Sequence, residues 1–108
     1  MIETTERGRI IAKEILRQLG GMRFIAMTGA RHLLAGESDL KFRLPSGFAL
    51  QGINCVRITL DPSDTYTIVF MRFRVRTGEC KTIKQIDGVY ADQLREIFTN
   101  ETGLYCTL

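Results

Sequence analysis

The sequence has little of what enzymes and secreted domains are usually built around. It holds one histidine, His32, and three cysteines, Cys55, Cys80 and Cys106, which are odd in number, far apart and without a C-x-x-C pair. That pattern argues against a disulfide framework and against a zinc site, and fits reduced thiols in a reducing compartment. No apolar run approaches the roughly 18 residues of a membrane span. The opening stretch MIETTERGRIIAKEIL lacks the basic, apolar and small-residue order of a signal peptide. The expectation is a cytoplasmic protein that engages no membrane. Neither G-x-x-x-x-G-K-[ST] nor G-x-G-x-x-G occurs, so a nucleotide-binding loop of either kind is not expected. Repeats, linkers and low-complexity segments are also missing.

What is present is an ordinary globular composition. The 108 residues are 44% hydrophobic and 25% charged, enough for one modest core without staples, so residues 1–108 read as a single domain. Fifteen Lys and Arg against twelve Asp and Glu leave a net charge of +3. That excess permits contact with nucleic acid without requiring it.

Hydropathy patterning gives the order helix, strands, helix. Thr5 is placed to N-cap a first helix, with Glu6 in its first turn. Ile11, Ala12, Ile15, Leu16 and Leu19 then recur at helical spacing, with Ile10 off the arc, until Gly20-Gly21 ends it. Residues 23–28 are a continuous apolar run and read as a short central strand. Leu40, Phe42 and Leu44 alternate with Lys41 and Arg43, and Val56, Ile58 and Leu60 alternate with Cys55, Arg57 and Thr59. DPSD, residues 61–64, is turn chemistry. A long strand over 65–77, a turn at Thr77-Gly78-Glu79 and a strand over 80–86 complete an antiparallel meander across 53–86. In DGVYADQLREIFTNETGLY, Tyr90, Leu94, Ile97 and Phe98 share a helix face, and Gly103 stands where a C′ glycine belongs, followed by Leu104. The predicted fold class is α+β: a single antiparallel sheet of four to five strands, with an N-terminal and a C-terminal helix packed on one face.

Few residues are arranged for chemistry. TGARH, residues 28–32, has one glycine and cannot converge several backbone N–H groups on a phosphate, so it reads first as a structural turn. No neighbouring nucleophile or carboxylate makes His32 a general base. Asp92 and Glu96 sit one helical turn apart and look solvated, short of the oxygen ligands a hard metal needs. Glu37 and Asp39 read as loop solubilisers. No catalytic residue, metal or cofactor is expected.

The strongest pattern is YTIVFMRFRVR. Alternation puts Thr67, Val69, Met71, Phe73 and Val75 on one face, read as the core face. Tyr66, Ile68, Phe70, Arg72, Arg74 and Arg76 fall on the other. Lys41, Arg43 and Arg57 occupy the non-core positions of neighbouring strands. In register, these six cations with Tyr66 and Phe70 make a basic, partly aromatic outer face. Such a face suits phosphates and stacked bases. Arg9, Lys13 and Arg17, spaced by four, add a secondary basic stripe on the first helix, although like charges at that spacing oppose the helix slightly. An ordinary wet sheet face explains the same residues, as does a protein-binding or homodimer face in which a partner covers Tyr66, Ile68 and Phe70.

The segments LGGMRFIAMTGARHLL, GINCVRITLD and DGVYADQLREIFTNETGLY resemble a family of small proteins of phages, plasmids and integrative elements. They cover roughly half of the chain, and the last is the most specific. The resemblance transfers no catalytic residues. It implies an accessory protein of a mobile element, acting by binding inside a bacterial host cell. Its target would be the element's own nucleic acid or a nucleic-acid-handling complex, including host-defence ribonucleoproteins such as those of CRISPR systems. The alternative is a protein-only interaction module or homodimer that inhibits a host enzyme.

Overall fold

The computed structural model describes residues 6–106; the expected N-cap Thr5 lies outside them. Helix α1 spans Glu6–Leu19 and buries Ile11, Ala12, Ile15 and Leu19, while Ile10 points to solvent as its off-arc position requires. It ends at the expected glycines, where the Gly20 and Gly21 N–H groups both donate to the Leu16 carbonyl.

The run over 23–28 is not a strand. It forms helix α2, Met22–Thr28. A short apolar run suits a buried helical turn as well as a central strand, and the packing of Phe24 against Phe42 and Phe98 decides for the helix. Phe24 and Thr28 both face inward, and the Thr28 hydroxyl donates to the Phe24 carbonyl at 2.7 Å. Gly29, with φ 73°, caps the end by donating to the Ile25 carbonyl. A Cβ there would also meet Pro45 Cγ at 2.8 Å, so both conformation and space call for glycine.

Five strands follow: β1 Arg31–Ala35, β2 Asp39–Arg43, β3 Cys55–Leu60, β4 Tyr66–Arg74 and β5 Glu79–Val89. They form one antiparallel sheet in chain order, so the meander extends further in both directions than the patterning indicated. Strand β1 occupies a segment read as loop. The DPSD turn is formed, with the Asp61 N–H donating to the Thr65 carbonyl. Residues 91–93 make a single 3-10 turn leading into helix α3, Leu94–Thr102, which buries Leu94, Phe98 and Thr102. Tyr90 stands outside the helix and is exposed, with its N–H donating to Gln93 Oε1. Gly103 takes the expected left-handed C-cap.

Register fixes the two faces of the sheet. Phe42, Val56 and Phe70 line up across β2, β3 and β4, as do Leu40, Ile58 and Ile68. Directly opposed residues share a face, and all six side chains are buried in one core with α1, α2 and α3. Phe24 of α2 packs edge-on against Phe42 and Phe98, with centroids 5.3 and 5.2 Å apart. Among the described residues no helix is long and apolar enough to cross a membrane.

Candidate functional site

The register reverses the face assignment in β4. Tyr66, Ile68 and Phe70 belong to the helix-covered core, and Val69, Met71 and Phe73 lie on the opposite, open face with Cys55. Both series are apolar, one in the helix-covered core and one in a second buried cluster of Cys55, Val69 and Met71, so alternation alone does not distinguish them. Tyr66 and Phe70 are therefore packing residues, 5% and 0% exposed, and cannot stack on a ligand.

The six cations separate accordingly. Arg72 and Arg74 keep the parity of Phe70 but stand exposed beyond the core, with Arg72 laid against the turn at Gly52. Arg76 lies in the β4–β5 turn. Lys41, Arg43 and Arg57 occupy the open face. In α1, Arg17 is held by Glu14, with Nε to Oε2 at 2.9 Å, and this pairing draws the Glu14 carboxyl below its ordinary range. Arg9 and Lys13 flank a separate groove lined by Leu16, Leu33 and Leu40.

The open face reads as rows across the sheet. One row is Leu34, Lys41, Arg57, Val69 and Gln85; the next is Arg31, Arg43, Cys55, Met71 and Thr82. Leu34 and Arg31 are three apart and would normally face opposite sides. A bulge between them, where His32 adopts φ 55°, brings both to the open face. A non-glycine residue in that region is strained by about 1 kcal/mol. Arg31 then stands directly opposite Arg43, and Lys41 directly opposite Arg57. Like charges in this position destabilise a sheet. Among the described residues, none of the four has a carboxylate within 4.0 Å to offset the repulsion.

A groove of about 230 Å³ crosses this face, and every strand contributes to it. His32 and Leu34 come from β1, Lys41 and Arg43 from β2, Cys55 from β3, Phe73 from β4 and Cys80 from β5. The Arg43 guanidinium sits over the Phe73 ring, 4.9 Å from its centroid. Phe73 is held by Asn54, whose amide donates to its carbonyl at 2.8 Å and accepts its N–H at 2.7 Å. The Asn54 side chain thus acts as an extra rung of the β3–β4 ladder. Burial pushes the Cys55 thiol up, and the charges of Lys41, Arg43 and Arg57 draw it partly back. Cys80 Sγ approaches Met71 Sδ at 3.6 Å, directed onto the apolar floor. No hydrogen bond joins His32 to a thiol or carboxylate among the described residues, nor do three His, Cys, Asp or Glu side chains there converge to hold a metal.

Arg31, His32, Leu34, Cys55, Phe73 and Cys80 were not anticipated at this site. A signal for the face was nonetheless present. Leu60 is a core position by the alternation of β3, and the turn joins it to Tyr66 as a directly opposed pair. That pairing places Tyr66 on the core side and Val69 and Phe73 outside. Comparison of the chain with family models, with curated proteins and with solved structures returns no match.

Proposed function

We propose that the protein is a non-enzymatic nucleic-acid binder and that the open face of the sheet receives a single strand. The observation that supports this is the pair of unrelieved like-charge rungs, Arg31 with Arg43 and Lys41 with Arg57. A polyanion laid across them supplies the missing counter-charge and releases its own counterions. The partly exposed Phe73, set over the buried Val69 and Met71 beside the cations, favours unpaired bases over a duplex, whose bases are already stacked. A sheet of this width accommodates about two or three bases. Lys41, Arg43 and Arg57 are the contact set kept from the sequence, joined by Arg31 and His32. The homodimer alternative loses its patch, since Tyr66, Ile68 and Phe70 are internal.

The resemblance to mobile-element proteins extends the proposal. In that setting the strand would be the element's own nucleic acid, or the exposed nucleic acid of a host-defence ribonucleoprotein.

Fluorescence anisotropy with single-stranded DNA and RNA, at about 50 and 200 mM salt, tests this reading. Binding should weaken steeply with salt. It should disappear in Lys41/Arg43/Arg57→Ala and survive in Arg72/Arg74/Arg76→Ala. Absence of binding at the lower salt, or equal loss in both triple variants, would overturn the proposal.

A further inference from the structure

Building on the nucleic-acid reading, we propose that the groove crossing the open face is a pocket for one unstacked nucleobase, with that nucleotide's phosphate on Lys41 and Arg43. At about 230 Å³ the groove falls below the range of sites that enclose a whole small-molecule ligand. It suits one ring system of a larger molecule. Its walls separate into two kinds. Cys55, Phe73 and Leu34 offer apolar surface, while Lys41, Arg43 and His32 supply positive or protonatable groups. A nucleotide has the same division between a planar, weakly polar ring and an anionic phosphate.

Arg43 joins the two parts. Its guanidinium is seated over the Phe73 ring, which fixes the plane of an otherwise flexible group. A guanidinium held in this way stacks on a base with its free face while its edge N–H groups remain available to a phosphate. Asn54 fixes the Phe73 backbone through two hydrogen bonds, so the platform is positioned before any ligand arrives. Lys41, one row away on the same strand, is exposed and faces no carboxylate within 4.0 Å among the described residues.

Cys80 provides a native reporter. It is the one exposed thiol, Cys55 and Cys106 being buried, and it lines the groove. A base in the groove should shield it from iodoacetamide. The experiment measures Cys80 alkylation in the full chain with a short single-stranded oligonucleotide, and with one of equal length made of abasic nucleotides. Anisotropy follows binding of both. With the normal strand at about ten times its Kd, alkylation should slow roughly tenfold. The abasic strand, when bound, should leave the rate near that of the free protein. Its affinity should be lower by at least the roughly 5- to 150-fold expected for one stacked base. Equal protection by both strands would show that backbone rather than a base occupies the groove. Strand binding that leaves Cys80 reactive would show the groove empty. Either result overturns the pocket and leaves the face intact as a binding surface. If neither strand binds at low salt, the pocket and the face fall together.

Discussion

The two faces of this sheet use the same strands to opposite ends. On the helix side, Phe42, Val56 and Phe70 form a row with no exposure at all, closed by Phe24 and Phe98 from the helices. One residue along in each strand, the open side places Arg43, Cys55 and Met71 in the neighbouring row, with Arg31 opposed to Arg43. The first row gains from every neighbour. The second has an apolar centre of Cys55 and Met71 beside cations that repel one another. A fold selected for stability alone has no need of the repelling rungs. Their presence separates the row that holds the fold together from the row on which the proposed strand binding rests.

The comparison is broken most severely by Phe70→Ala. Removing that fully buried ring should lower stability by about 3–5 kcal/mol, whereas Phe73→Ala on the open face should lose about 1–2 kcal/mol. Urea denaturation of both variants measures the difference, and equal losses would mean that the open face is a second core. Asn54→Ala comes next. It removes the side chain that bonds both backbone groups of Phe73 and should lower stability by about 1–3 kcal/mol. It should also loosen Phe73 relative to Arg43, which can be read from ring NMR signals.

Alkaline pH should act on both sides of the sheet. Burial raises the pKa of Cys55 on the open face, of Tyr66 on the core face, and of Cys106 beside α3. Each group holds its proton more tightly folded than unfolded. Their contribution is therefore complete below the ordinary thiol value of about 8.5 and is lost as pH rises through the raised folded values. The melting temperature should be flat from about pH 7 to 8 and fall above about pH 9, and Cys55→Ala or Cys106→Ala should reduce the slope of that fall.

The smallest effect should have the opposite sign. Lys41→Glu converts a repelling rung with Arg57 into an attractive one and should raise stability by about 0.2–1 kcal/mol. The gain should fade at high salt as screening grows, and strand binding should weaken in the same variant. A variant that is less stable at low salt would show that Lys41 and Arg57 do not repel as their register indicates.

Local spacing alone determined much of this protein. The arc of Ile11, Ala12, Ile15 and Leu19, the glycine stops, the DPSD turn and the alternation in β2 and β3 each depend on residues within a few positions, and each is found as the spacing requires. The α+β architecture followed from counting those elements. Two matters were settled only by distant contacts. Residues 23–28 could be strand or helix until Phe24 met Phe42 and Phe98. In β4 both alternating series are apolar, so its side followed only from the pairing that opposes Tyr66 to Leu60, and how far the core runs along it depended on where three helices stopped. They cover Tyr66, Ile68 and Phe70 and leave Arg72 and Arg74 in solvent on the same side. The candidate site was legible in Lys41, Arg43 and Arg57, whose own strands fix their side. It was hidden in Arg31, His32, Phe73 and Cys80. A bulge, a side-chain rung and a groove shared by five strands bring those residues together, and each is set by pairing across the sheet rather than by order along the chain.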